Sequence, residues 1–113
     1  MSVDIQTQRQ GAVIIVRPEG ALAAPDAEQL KRTLLDQSTA SLGRVVLNLE
    51  AVPFVDSRAL EVFVDVTEQL GVGGQVLKLC GVNKTVREVL ELTDLTGLFD
   101  HFEDANTAVR SFL

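Results

Sequence analysis

The chain has no tyrosine and no tryptophan, and only one cysteine, one histidine and one methionine in 113 residues. Each shortage removes a class of function. Without Tyr or Trp the usual stacking platform for unpaired bases is missing, and the five phenylalanines sit in core-like patterns. Cys80, alone, closes no disulfide within the chain. Its setting in Val76-Leu77-Lys78-Leu79-Cys80 reads as a strand, where a thiol packs like a small hydrophobe. His101 stands in Phe99-Asp100-His101-Phe102, on or beside a short strand, with no spacing that supports a Ser-His-Asp arrangement. No His/Cys cluster has metal-ligand spacing. Cations are also in short supply: 10 Lys and Arg against 16 Asp and Glu give a net charge of -6. Such a surface repels phosphate backbones and anionic headgroups, so nucleic acid and membrane surfaces are poor partners and basic protein surfaces better ones.

Long apolar runs are missing as well. None approaches the roughly 18 residues that suggest a membrane span. The opening MSVDIQTQRQ has no basic region followed by an apolar core. No secretory leader is therefore expected, and the cytoplasm is the expected location. The one glycine-rich stretch, Gly71-Val72-Gly73-Gly74, follows a helical segment and precedes a strand. A phosphate cradle needs the reverse order, so this stretch reads as helix termination. Glu50 and Asp56 alone do not make a general acid/base pair. The residues suggest no enzyme, no metal and no cofactor.

What is present is an ordinary globular balance, 46% apolar and 23% charged, over a length that suits one domain spanning residues 1–113. Val3 and Ile5 alternate with polar residues as in a short strand, Gln8 to Gly11 is turn-like, and Ala12 to Val16 is a continuous apolar run. Proline and early acids place a helix over Pro25–Leu35, with Ala27, Leu30 and Leu34 inward. Gln37 to Gly43 reads as a polar connection and Arg44 to Leu49 as a strand. A second helix runs from about Ser57 to Leu70, its apolar arc widened by Val62 and Val66. That arc suits deep packing against a sheet, or a part of it meeting a partner. Gln75 to Cys80 is the next strand. Asn83 suits a cap for a helix over Lys84–Leu92. A short strand lies around Leu98, Phe99 and Phe102, and Asp104 suits a cap for a last helix. The order β-β-α-β-α-β-α-β-α predicts an α/β fold with a mixed, mostly parallel sheet of about five strands and about four helices.

Val55-Asp56-Ser57-Arg58-Ala59-Leu60 joins a strand and turn to the second helix. Asp56 or Ser57 suits the helix cap, and capping alone explains both residues. A hydroxyl at that position also stands in a positive local field. A phosphate there is stabilised by free N–H groups, and it adds about two negative charges to the surface that a partner would meet.

The strand Val45-Val46-Leu47-Asn48-Leu49-Glu50, with Pro53-Phe54-Val55-Asp56-Ser57-Arg58-Ala59-Leu60 after it, resembles the STAS domain of anti-sigma factor antagonists. Gly20-Ala21-Leu22, leading into Pro25 to Leu30, is similar to that family's Gly-x-Leu and first helix. Val86 to Thr93 and Gly97-Leu98-Phe99 are similar to its third helix and following turn. The resemblance implies partner switching. The unphosphorylated protein binds an anti-sigma factor that is often also a serine kinase; phosphorylation of the motif serine inactivates it, and a phosphatase restores it. Carried over, Ser57 is the phosphoacceptor and Asp56 the motif aspartate. The implied docking surface comprises Ala23, Ala24, Asp56, Ser57, Arg58, Ala59, Glu61 and Val62. The chain departs from the family pattern at Arg58, where Ser or Thr is usual, at Ala59 for glycine, and at Ala23, where an acid is frequent. These departures motivate an alternative, an adaptor with no phosphorylation switch inside a larger signalling or lipid-transport complex.

Overall fold

Val13 to Val16 are apolar at every position, and a strand without a polar face has to be covered on both sides. In the computed structural model, which describes residues 3–113, this strand lies inside a five-stranded sheet ordered β1-β2-β3-β4-β5. Strands β1 (Asp4–Gln10) and β2 (Val13–Glu19) form an antiparallel hairpin, and β3 (Val45–Asn48), β4 (Lys78–Cys80) and β5 (Asp100–Phe102) follow in parallel. The connections are α1 (Asp26–Ala40), α2 (Ser57–Gly71) and α3 (Lys84–Leu92), and α4 (Ala105–Arg110) closes the order. The predicted class, strand order and helix number all hold.

Period-2 alternation divides each strand between two cores. Ile14, Val16, Val45, Leu47 and Leu79 meet α1, α2 and α3 in the larger one. Val13, Ile15, Val46 and Cys80 meet Ala108 and Val109 of α4 in the smaller. Ala27, Leu30 and Leu34 are buried as the spacing predicts. Cys80 is buried with its thiol pKa pushed up to about 12, first by desolvation and then by the charges of Glu50 and Asp104. It is a packing residue. Lys78 fixes the C-terminal segment: its Nζ lies 4.1 Å from the centre of the Phe112 ring and donates to Ser111 Oγ at 2.7 Å.

Several boundaries differ from the expected ones, β2 reaching Glu19 among them. β1 continues through Gln10, and the turn is Gly11-Ala12. Gly11 at φ 62 supplies the positive φ that a two-residue hairpin loop needs at its first position. α1 runs on to Ala40, because Gln37 to Ala40 are polar but contain no breaker; Leu42 at φ 56 and Gly43 at φ 83 then stop it. Gln75 to Leu77 stay outside β4, and the Leu77 N–H donates instead to Thr67 Oγ1 at 2.9 Å.

Candidate functional site

The carboxyl ends of β2 and β3 bring two loops together. The Leu22 N–H donates to the Phe54 carbonyl at 3.1 Å and the Asp56 N–H to the Leu22 carbonyl at 3.0 Å, so Leu22 and Val55 pair as an isolated parallel bridge. This bridge is what sets Gly20–Pro25 beside the start of α2. Ala24, whose peptide to Pro25 is cis, is exposed, and Ala23 is half-buried.

Asp56 is the N-cap. Its backbone is extended, and its Oδ1 accepts the Ala59 N–H at 2.9 Å. Oδ2 accepts the Ala24 N–H at 3.3 Å, so one carboxylate closes the helix end and ties the two loops together. Of the two cap candidates, the structure selects Asp56. Replacing Asp56 by Ala is expected to cost about 1–2 kcal/mol, the usual worth of a cap, while Asp56→Asn retains most of it. Thermal melts followed by circular dichroism check this; equal melting of Asp56→Ala and the native chain would contradict the geometry.

With the cap made elsewhere, the Ser57 hydroxyl is left free. Ser57 is exposed as the first residue of α2, and its hydroxyl has no hydrogen-bond partner among the described residues. The Ala59 N–H is taken by Asp56 Oδ1 and the Leu60 N–H by the Asp56 carbonyl at 3.1 Å. The N–H groups of Ser57 and Arg58 remain without an acceptor among the described residues. Arg58 turns towards α1. Its guanidinium donates to Glu28 and, at 2.7 Å, to Glu61 one turn on. Both pairs are partly solvated, so each contributes at most a few tenths to 1 kcal/mol to stability. Their main effect is to hold Arg58 in one place on the surface.

Two of the expected docking residues are corrected. Ala59 and Val62 are fully buried in the larger core, and neither offers its side chain to a partner. They share one helical stripe with Phe63, Val66 and Leu70. Val62 and Val66, which widen the apolar arc of α2, are thus packing residues. Glu61 is exposed, as docking requires.

The structure adds residues that the motif did not indicate. Phe54, which patterned as core, is 49% exposed in the turn just before Asp56. Leu60, Val64 and Leu95 line a shallow groove of about 360 Å³ with Ser57, Glu61 and Asp65 at its edge. Asp65 is held by Lys31 at 3.1 Å. Ser57 and Glu61 stand four apart on α2 and Leu60 and Val64 likewise, which is a helix-face signal available in the sequence. Leu95 comes from the loop after α3, and only the fold brings it there.

Two groups outside this site, His101 and Glu50, have structural partners. His101 is exposed, and its Nε2 donates to the Thr96 carbonyl at 2.8 Å. Glu50 pairs with Arg17 at 2.9 Å rather than with Asp56. Among the described residues no group of three His, Cys, Asp or Glu is placed to hold a metal, and no helix is long and apolar enough to cross a membrane.

BtrV of Bordetella bronchiseptica, a protein named as an anti-sigma factor antagonist, is 30% identical over 100 residues, covering 88% of this chain and 86% of its own. The fold is shared with an anti-sigma factor antagonist of Thermotoga maritima (TM-score 0.86, 23% identity, 95% of this chain and 92% of that one). It is shared too with the anti-sigma factor antagonist SpoIIAA in its unphosphorylated form (TM-score 0.77, 18% identity, 96% of each chain). At those identities the structural likeness speaks for the fold only. The family model described as the STAS domain matches residues 4–108, taking in the sheet, the Asp56 cap and the exposed Ser57, and the chain belongs to that family.

Proposed function

We propose that this chain is an anti-sigma factor antagonist that works by partner switching, docking onto an anti-sigma factor with serine-kinase activity. The observation that carries this reading is Ser57. It is an exposed hydroxyl at the start of α2, with two unused backbone N–H groups beside it and an apolar groove next to it. The kinase phosphorylates Ser57, a phosphatase reverses the step, and residues 1–113 act as one unit. The 30% identity to BtrV supports the antagonist role, and a Bacillus SpoIIAA is described in a phosphorylated form.

The physical logic is a change of charge at a helix end. Without phosphate, the Ser57 edge of the groove is neutral, and the carboxylates of Glu61 and Asp65 at its rim are paired with Arg58 and Lys31. With phosphate, the N-terminus of α2 stabilises the new anion, so the modified state is not strained. The partner then faces about two added negative charges beside Glu61, in a site fitted to a hydroxyl.

Titration calorimetry with the anti-sigma kinase recovered by pull-down tests the proposal. Ser57→Ala is expected to retain binding, and Ser57→Asp to weaken it roughly 100-fold, or about 2.7 kcal/mol. Equal affinities for the two variants would overturn it. The second reading, an unswitched adaptor, draws on Arg58. In place of a small hydroxyl residue the chain has a guanidinium locked between Glu28 and Glu61 directly after Ser57. That reading expects no phosphate on Ser57 in cells and stable co-purification with a transporter ATPase.

A further inference from the structure

The two faces of the sheet are covered unequally. Three helices lie over one face, while α4, six residues long, covers the other only above Val13, Ile15, Val46 and Cys80. Beyond its reach the same face continues without a helix above it. The alternation of β1 puts Gln6, Gln8 and Gln10 there, in register with Arg17, Ile15 and Val13 of β2. β3 adds Asn48, two positions after Val46. The result is a concavity of about 790 Å³ with Ile15 in its floor and Ala105 and Asn106 at one side. That volume lies within the range of roughly 300–1,000 Å³ typical of small-molecule sites.

Asn48 is the telling residue. It is only 6% exposed, and it interrupts an otherwise apolar strand. Its Oδ1 accepts the Glu50 N–H at 3.1 Å, its Nδ2 makes no hydrogen bond among the described residues, and Asn48 is part of the concavity's lining. That donor is not sealed from solvent, so it is open to water or to a ligand that fills the space in front of it. Gln6 and Gln8 bring further carboxamides to the same wall, and each offers both a donor and an acceptor.

The charges narrow the ligand class. Arg17 is already held by Glu19 at 2.6 Å and by Glu50 at 2.9 Å. Asp104 is lowered in pKa chiefly by its hydrogen bonds to Thr107, so it stays ionised. One engaged cation against the carboxylates of Glu50 and Asp104 disfavours an anion. The lining contains no aromatic ring on which a flat base stacks. Neutral molecules with many hydroxyls match the wall of carboxamides, since each hydroxyl both donates and accepts.

We infer that this groove binds a neutral polyhydroxylated small molecule, a sugar or cyclic polyol, through Asn48, Gln6 and Gln8. It lies on the sheet face opposite α2, so occupancy leaves Ser57 free, and the site stands apart from the docking reading. The test is a titration of the full ¹⁵N-labelled chain with glucose, ribose and myo-inositol, and with inorganic phosphate as the control anion, read at the side-chain amide signals. At least one of the three polyols should shift the Asn48 amide saturably. Gln8→Ala, an exposed substitution, should weaken that binding roughly ten-fold, the value of about one hydrogen bond. Asn48→Ala should abolish it while the remaining spectrum stays folded. No saturable shift with any of the three, an equal response to phosphate, or unchanged binding in Gln8→Ala would each overturn the assignment.

Discussion

Phe63→Ala is expected to lower stability by about 3–5 kcal/mol, the range for emptying a buried aromatic site. Phe63 is fully buried at the centre of α2 and meets the ring of Phe99 edge-on, with centroids 6.3 Å apart. The substitution removes the largest side chain of the α2 stripe and the partner of an aromatic pair. A domain of this size holds a total of only about 5–15 kcal/mol, so the loss is a large fraction of it. The melting temperature should fall by roughly 10–20 °C. Phe63→Leu is the control. It keeps most of the volume and should cost about half as much or less. Because α2 carries Ser57, the docking site and the core share one element. If Phe63→Ala and the native chain unfold at the same denaturant concentration, then α2 does not pack as described.

The architecture was legible because the core residues obey two simple periods. Apolar runs at Ala12–Val16 and Val45–Leu47, separated by stretches with helical spacing, leave little choice but parallel strands with crossover helices. Caps were legible for a similar reason. Asn83 and Asp104 accept from Val86 N–H and Thr107 N–H, both at 2.8 Å, as their positions before apolar-periodic segments suggest. The misjudged boundaries fall where periodicity carries no information. β1 is an edge strand whose Gln6–Gln10 stretch is wholly exposed, so nothing apolar marks its end. The last turn of α1 is polar, held by local bonds such as that from Thr39 Oγ1 to the Leu35 carbonyl at 3.1 Å.

The site was legible at its centre and not at its rim. Asp56 and Ser57 follow from capping logic and from the family motif together. Ala59 and Val62 stand close to that motif in sequence, but their phase with Phe63 and Val66 places them inside. Phe54 escaped because a turn has no period to show which way a side chain faces; here it is left half in solvent. Leu95 and Asn48 depend on contacts between distant segments. Asn48 in particular reads as one polar residue in a buried strand, and only the short reach of α4 gives it an opening.

Gly81→Ala is the second large expected effect, and it acts behind the docking turn. Gly81 follows β4 with φ 68, a region that costs an L-residue about 1–2 kcal/mol. A Cβ there would also lie 3.0 Å from the Glu50 backbone nitrogen, 2.9 Å from Glu50 Cβ and 3.1 Å from Asn48 Oδ1. The Glu50 segment has little room to retreat. The Leu49 N–H is bonded to the Cys80 carbonyl at 2.9 Å and the Val52 N–H to the Leu49 carbonyl at 3.0 Å. Overpacking of this kind costs about 1–3 kcal/mol, so the combined loss is roughly 2–5 kcal/mol. Gly71→Ala gives a contrast of opposite sign. Gly71 ends α2 with nothing within 4 Å of an added Cβ and no positive φ, so alanine there should stabilise by up to about 1 kcal/mol. Urea unfolding of the two variants beside the native chain separates the cases. A Gly81→Ala protein as stable as the native one would mean that the β3–β4 junction is looser than its contacts indicate, and that the strand leading into Asp56 is not held rigidly from behind.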